Sequence, residues 1–135
     1  MTVVWSATVP ETHRVGGTMR TELEQLEAHF VGLRASGEGY LEVELPTENS
    51  PQVTLSFRGD RAVVHHLADL DEDPKSFLLV GDGSLAPHGT VDVPVMDEDA
   101  VFSGDFVMTV DRAWEAVREF ARTRSVAGLG EWCEL

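Results

Sequence analysis

The clearest hydrophobic pattern in the sequence lies near its C-terminus, at residues 109–123. Apolar side chains recur there at helical spacing and form one stripe, whereas charged side chains occupy the opposite face. The stripe consists of Val110, Ala113, Trp114, Val117, Phe120 and Ala121. Thr109 or Asp111 can cap the free amides of the first turn, and the arginines at the other end suit the helix dipole. The pattern predicts an amphipathic helix that covers a core.

A second helix is predicted over residues 18–34. Its apolar stripe consists of Met19, Leu23, Leu26, Phe30 and Leu33. Thr21 and Glu24 offer a capping box if the helix begins later than residue 18. Each of the two helices therefore has one apolar face, which must be buried against a sheet.

The rest of the chain alternates between apolar and polar residues, which predicts strands. The predicted strands are residues 2–8, 40–45, 52–57, 61–68, 77–80 and 90–95, followed by a last strand through Phe102, Phe106 and Met108 and a short closing strand at Trp132. Gly59-Asp60 suits a tight hairpin turn. Pro94 predicts an edge strand or a bulge, and Gly104 predicts a bulge.

The connections between consecutive strands are short, which favours antiparallel pairing, and the helices lie at the two ends of the run of strands. This arrangement is typical of α+β folds. We expect one domain over residues 1–135, in which an antiparallel sheet of about six strands packs against two main helices in two layers.

The charge of the chain is strongly negative. Asp and Glu number 24 against 10 Lys and Arg, which gives a formal net charge of -14. Such a chain repels phosphate instead of releasing counterions from it, so nucleic acid and anionic membranes are disfavoured partners. A basic protein is the natural complement, although acidity can also serve solubility alone. The chain shows no export signal and no apolar run long enough to span a membrane, so we expect a cytoplasmic protein.

One acidic segment resembles a calcium-binding loop. Asp69, Asp71 and Asp73 occupy the first, third and fifth places of such a loop. The sixth place requires glycine and holds Pro74, and the twelfth requires glutamate and holds Val80. We interpret the segment as a solvated acidic loop and predict no metal.

The sequence contains few candidate catalytic groups. His65 and His66 are neighbours on a predicted strand, so their side chains point to opposite faces and cannot bind one metal together. Cys133 is the single cysteine, and no basic neighbour stands beside it to activate a thiol. No nucleotide-binding loop or nucleophile motif is present. We therefore predict a protein that is not an enzyme and has no cofactor, although an unfamiliar catalytic or small-ligand site stays an alternative.

The last quarter of the chain resembles the Imm1 immunity proteins of bacterial polymorphic toxin systems. The matching residues are Ala116, Val117, Arg118, Glu119 and Phe120, then Thr123, then the closing pair Glu131 and Trp132. Three family positions that hold Gly, Arg and Pro are occupied by Arg124, Val126 and Ala127, so Gly128 and Gly130 would have to shape the turn there. The resemblance implies an immunity protein that binds a cognate toxin protein, here a basic one that attacks nucleic acid, and blocks its active site.

Three features are candidates for the surface that binds the toxin. They are the acidic loop with Asp69, Asp71, Glu72 and Asp73, the acidic segment Asp97, Glu98 and Asp99, and Tyr40 on the exposed side of its strand together with Glu42 and Glu44. Acidic residues would steer the partner, and the tyrosine would be its anchor. We expect a monomer or a weak dimer. A small acidic secretion chaperone is the alternative, and it would dimerise.

Overall fold

The structure, a computed structural model, describes residues 2–9, 14–15, 18–45, 52–68, 75–95 and 98–135. Its strands are β1 (Thr2–Val9), β2 (Arg14–Val15), β3 (Met19–Glu22), β4 (Glu38–Glu44), β5 (Gln52–Arg58), β6 (Arg61–Ala68), β7 (Lys75–Leu79), β8 (Thr90–Val95), β9 (Glu98–Ser103) and β10 (Trp132–Glu134). Its helices are α1 (Leu23–Ala35) and α2 (Val110–Thr123).

Within the described residues, eight strands form one sheet in the order β10-β7-β6-β5-β4-β1-β2, with β3 also paired to β1. Every pairing in this sheet is antiparallel. Strands β8 and β9 form a separate antiparallel hairpin. The predicted α+β class with an antiparallel sheet is confirmed. The short strands β2 and β3 were not predicted.

Both helices pack on one face of the sheet, which we call the inner face. The alternating residues Val53, Leu55 and Phe57 of β5 point to it and are completely buried. Val117 and Phe120 of α2 belong to the same core and are also completely buried. The apolar stripe predicted for the C-terminal helix therefore faces the sheet, as its periodicity indicated.

The opposite face of the sheet, which we call the outer face, is covered at one end by the β8–β9 hairpin. Val63 of β6, Leu78 of β7 and Val93 of β8 form a second, smaller apolar cluster there. Arg58 connects the same layers, since its Nη1 donates to the Asp92 carbonyl at 3.1 Å. The helices and the sheet form the two expected layers, and the hairpin adds a further layer over part of the sheet. Pro94 lies in a strand that pairs on one side only, which confirms the edge prediction.

Helix α1 begins later than predicted, at Leu23 instead of residue 18. Residues 19–22 form β3 and pair with β1, and the Trp5 Nε1 donates to the Thr21 hydroxyl at 2.9 Å. The capping box is formed by Glu22 and Gln25, not by Thr21 and Glu24. Met19 belongs to the predicted helical stripe, but it is 48% exposed on this edge strand. The pairing with β1 outweighs the local helical pattern.

The predicted strand through Phe102, Phe106 and Met108 is interrupted. Strand β9 ends at Ser103, and a 3-10 turn spans Gly104–Phe106. Gly104 is not a strand bulge. A Cβ atom on it would lie 1.9 Å from the Ala86 carbonyl oxygen, so this close backbone contact requires glycine. Met108 then forms an isolated antiparallel bridge with Ala62.

The turn after α2 is formed by Arg124, which adopts a left-handed conformation with φ of 59°. Gly130 also has a positive φ, whereas Gly128 does not. Beyond this turn β10 pairs with β7, as expected for the closing segment. The Trp132 Nε1 donates to the Val126 carbonyl at 2.9 Å, so the tryptophan is held on the C-terminal segment and the sheet edge.

Deletion of residues 132–135 should destabilise the protein by about 2 to 4 kcal/mol, because it removes strand β10 and the half-buried Trp132. Urea denaturation measures the change. Deletion of Leu135 alone is the matched control, since this residue is 67% exposed and should cost little. If the longer deletion leaves the urea midpoint unchanged, Trp132 does not contribute to folding and is free to serve as a binding residue.

Candidate protein-binding surface

Among the described residues, the outer face is partly exposed beyond the hairpin, around Ser6, Glu42, Glu44 and Gln52, and we call this part the open half. Its strands β1, β4 and β5 present polar side chains outward, because residues two apart along a strand share a face. An open depression of about 30 Å³ lies here. It is lined by Val4, Trp5, Ser6, Thr18, Glu42, Glu44 and Gln52.

Tyr40 lies on the outer face but is only 4% exposed, so the prediction of an exposed aromatic anchor is wrong. Strand β8 contacts β4 and β5, and the register neighbour of Tyr40, Ser56, is also completely buried. The Tyr40 hydroxyl donates to Glu42 Oε1 at 2.8 Å. Burial and the adjacent Glu42 charge raise the pKa of Tyr40, so its hydroxyl keeps its proton and stays a donor.

Glu42 is fixed from two sides. Tyr40 binds one of its oxygens, and Gln52 Nε2 donates to the other, Oε2, at 2.9 Å. Glu44, two residues further along the strand, is exposed on the same face. Among the described residues, no ion pair or hydrogen bond engages the Glu44 carboxylate. The open half therefore combines one oriented carboxylate with one free carboxylate.

The acidic loop lies outside the described residues, and with it Asp69, Asp71, Glu72 and Asp73. The residues that flank it are described. Ala68 pairs with Lys75, Gln52 pairs with Leu67, and Glu44 pairs with Gln52. The register therefore brings the two ends of the loop to the end of the sheet that carries Glu44.

The second acidic segment is only partly described, because Asp97 lies outside the described residues. Glu98 is exposed at the start of β9. Asp99 is already engaged within the chain, since its Oδ1 accepts a hydrogen bond from Arg58 Nη2 at 2.9 Å. Arg58 also pairs with Glu38 at 2.8 Å. Asp99 therefore joins the hairpin to the sheet, whereas Glu98 is available to a partner.

His65 and His66 point to opposite faces, as predicted. The ring centre of His65 lies 5.2 Å from that of Phe102 of the hairpin. The ring of His66 lies 5.2 Å from that of Phe77 and 5.3 Å from that of Trp132, on the inner face. Within the part of the chain that is described, no three His, Cys, Asp or Glu side chains are grouped so that they could hold a metal ion.

Folding stability should decrease between pH 6.5 and pH 4 because of His65. Burial lowers the pKa of His65 from 6.5 to about 4, so the unfolded chain binds a proton in this range before the folded one does. The contribution of the neutral His65 ring to the free energy of unfolding is fully present above pH 6.5 and is lost as the pH falls towards 4. At pH 5 the loss should be roughly 2 kcal/mol relative to pH 7.5.

Urea denaturation at the two pH values tests this. The His65→Gln variant should lose less stability on acidification than the parent protein, by about 2 kcal/mol. The His88→Gln variant is the matched control, because it makes the same substitution at an exposed position. Equal pH dependence in all three proteins would contradict the burial of a neutral His65.

No protein-family model matches the chain, and no curated protein matches its sequence. The resemblance to Imm1 proteins thus rests on the matching C-terminal residues alone. Of these, Ala116, Val117 and Phe120 are buried in α2 and serve the core rather than a surface. Separately, no helix within the described ranges is long and apolar enough to span a membrane.

Ser6, Thr18 and Gln52 were not predicted as members of the candidate surface. Each belongs to a different segment, and only the strand order β5-β4-β1 together with the return of the chain before β3 brings them together. Glu42 and Glu44 could be placed with Tyr40 from the alternation of β4 alone. No pattern in the sequence indicated that the Gln52 side chain would belong to this surface.

Proposed function

We propose that this chain is an immunity protein that binds a basic toxin domain from the same bacterium and blocks the active site of the toxin. The observation that carries the proposal is the acidic open half, where Glu42 and Glu44 lie towards the same end of the sheet as Ala68 and Lys75, which flank the acidic loop. The net charge of -14 supports a basic partner. The resemblance of the C-terminal quarter to Imm1 proteins supports a toxin as the partner.

The rigidity of the open half also supports binding rather than a passive soluble surface. Glu42 is held by two hydrogen bonds on a central strand, so little side-chain entropy is lost when a cation contacts it. A surface that served solubility alone would need no such fixation. Toxin domains that act on nucleic acid require basic surfaces for their substrate, and an acidic protein can occupy those surfaces in its place.

The experiment is co-expression with the variable C-terminal domain of a toxin encoded next to this gene. We expect a complex that survives size-exclusion chromatography, and growth of cells that would otherwise be killed. The association rate should fall steeply as salt is raised, because opposite charges accelerate encounter. Absence of both complex and protection at low salt would refute the proposal. A dimer of this chain that binds only an unfolded client would indicate a chaperone instead.

A further inference from the structure

We infer that the depression on the open half is the place where the guanidinium of an arginine from the protein partner binds, with Glu42 as the group that accepts its hydrogen bonds. The inference rests on the proposed function for the kind of partner, a protein. It goes beyond that proposal because it gives the position of the contact and the residue type that fills it. Three observations carry it: the orientation of Glu42, the composition of the depression, and the charge of its surroundings.

The orientation of Glu42 leaves both of its oxygens able to accept further hydrogen bonds. Tyr40 donates to Oε1 at 2.8 Å and Gln52 donates to Oε2 at 2.9 Å. Each carboxylate oxygen has a second acceptor position, so two parallel N–H groups can still bind. A guanidinium presents two such groups in a planar fork, whereas a lysine ammonium does not.

The composition of the depression suits the rest of an arginine side chain. Val4 shares the outer face with its register partner Glu44 and contributes apolar surface against which the methylene stem can pack. Ser6 and Thr18 line the same depression, and a hydroxyl can accept a hydrogen bond from a remaining N–H group. An arginine would therefore find one apolar contact for its stem and oxygen acceptors for its N–H groups.

The charge of the surroundings is complementary to a cation. Glu44 lies two residues from Glu42 on the same face and is exposed. Arg20 of β3 is the register partner of Val4 and therefore shares this face, but it forms no ion pair with either glutamate in the described structure. The depression thus has two carboxylates, and the cation at its border does not neutralise them.

Titration of the ¹⁵N-labelled full chain with an acetylated, amidated Gly-Arg-Gly peptide, followed by NMR, tests the inference. We expect shifts of the backbone amides of Ser6, Thr18, Glu42, Glu44 and Gln52 that saturate in the millimolar range. The same peptide with citrulline in place of arginine has the same shape without the charge. It should bind at least about 10-fold more weakly, as expected for the loss of a charged hydrogen-bonded pair.

Two sets of variants separate a specific site from general attraction. The double variant Glu42→Gln/Glu44→Gln should abolish the shifts. The double variant Glu115→Gln/Glu131→Gln removes the same charge from exposed positions that do not line the depression, and it should keep them. If both double variants weaken binding equally, or if the shifts map to β9 or to the helices, the inference is wrong.

Tyr40 is a positioning residue in this scheme, since it acts through Glu42. The Tyr40→Phe variant keeps the ring and removes the 2.8 Å hydrogen bond to Oε1. We expect the preference for the arginine peptide over the citrulline peptide to fall about 3-fold, because the carboxylate is less well oriented. A purely structural role would lower the melting temperature and leave this preference unchanged, which would overturn the assignment of Tyr40.

Failure of this inference and failure of the proposed function give different results. If the parent protein binds and protects against the neighbouring toxin but ignores the arginine peptide, the contact lies elsewhere and only the inference fails. If the peptide binds as described but no toxin is bound or neutralised, the depression recognises arginine and the proposed function fails.

Discussion

Replacement of Phe120 with alanine is expected to lower the free energy of unfolding by about 3 to 5 kcal/mol. Phe120 lies on α2, is completely buried and belongs to the main core between the helices and the sheet. The substitution removes a large apolar side chain and leaves a cavity that the rigid sheet cannot close. Chemical denaturation in urea measures the loss. A change of this size is a large part of the stability of a domain of this length.

Glu119→Ala is the control for this prediction, because Glu119 is the next residue on the same helix. It lies at the surface, where its Oε2 pairs with Arg122 Nη2 at 2.5 Å. Exposed pairs of this spacing contribute about 0.2 to 0.5 kcal/mol, so the control should unfold almost like the parent protein. Equal melting temperatures for the two variants would contradict the burial of Phe120.

The sequence predicts best where the local pattern and the tertiary contacts agree. Strands β5 and β6 and the turn at Gly59 between them follow directly from the alternation of apolar residues and from the positive φ of 60° at Gly59. Helix α2 follows in the same way, because its stripe faces the sheet and Thr109 caps its first turn through a bond from the Arg112 amide at 3.2 Å. Each of these elements is specified by residues that are close in sequence.

The start of α1 could not be predicted because it depends on a distant strand. Residues 18–22 carry an apolar residue, Met19, at helical spacing from Leu23, and the capping box that Thr21 and Glu24 offered allowed a later start without requiring one. Strand β1 supplies backbone partners for these residues, with Trp5 paired to Met19 in register. The hydrogen bonds gained with β1 decide the conformation, and they arise only once the sheet has formed.

The predicted exposure of Tyr40 is wrong for a related reason. Alternation along β4 correctly separates Tyr40 from Leu41, but it does not say which faces of the sheet are covered. The β8–β9 hairpin lies some fifty residues away in sequence, and its strand β8 contacts β4 and β5. A face that alternation marks as polar is therefore buried at one end and open at the other, and the candidate surface occupies the open end.

Charge reversal of the acidic loop should impair toxin binding more than any single substitution at the surface of the protein. Changing Asp69, Asp71 and Asp73 to lysine should slow association with the toxin about 10- to 100-fold at low salt, because steering depends on opposite charges at the contact surface. These residues lie outside the described part of the chain, but the residues that flank them, Ala68 and Lys75, lie at the end of the sheet that carries Glu44. Stopped-flow association rates at several salt concentrations provide the measurement, and toxin-expressing cells report on protection.

The second acidic segment, Asp97, Glu98 and Asp99, provides the comparison with the acidic loop. Its test must take account of Asp99, which pairs with Arg58. Reversal of Asp97, Glu98 and Asp99 together would place a lysine at position 99 against Arg58, and would therefore weaken the attachment of the hairpin as well as any toxin contact. Glu98→Lys alone avoids this, because Glu98 is exposed and its charge contributes little to folding. If the loop reversal slows association without lowering the melting temperature while Glu98→Lys does neither, the toxin approaches the end of the sheet that carries Glu44. If neither change alters the association rate or protection, the acidic segments are solvated surface and do not bind the toxin.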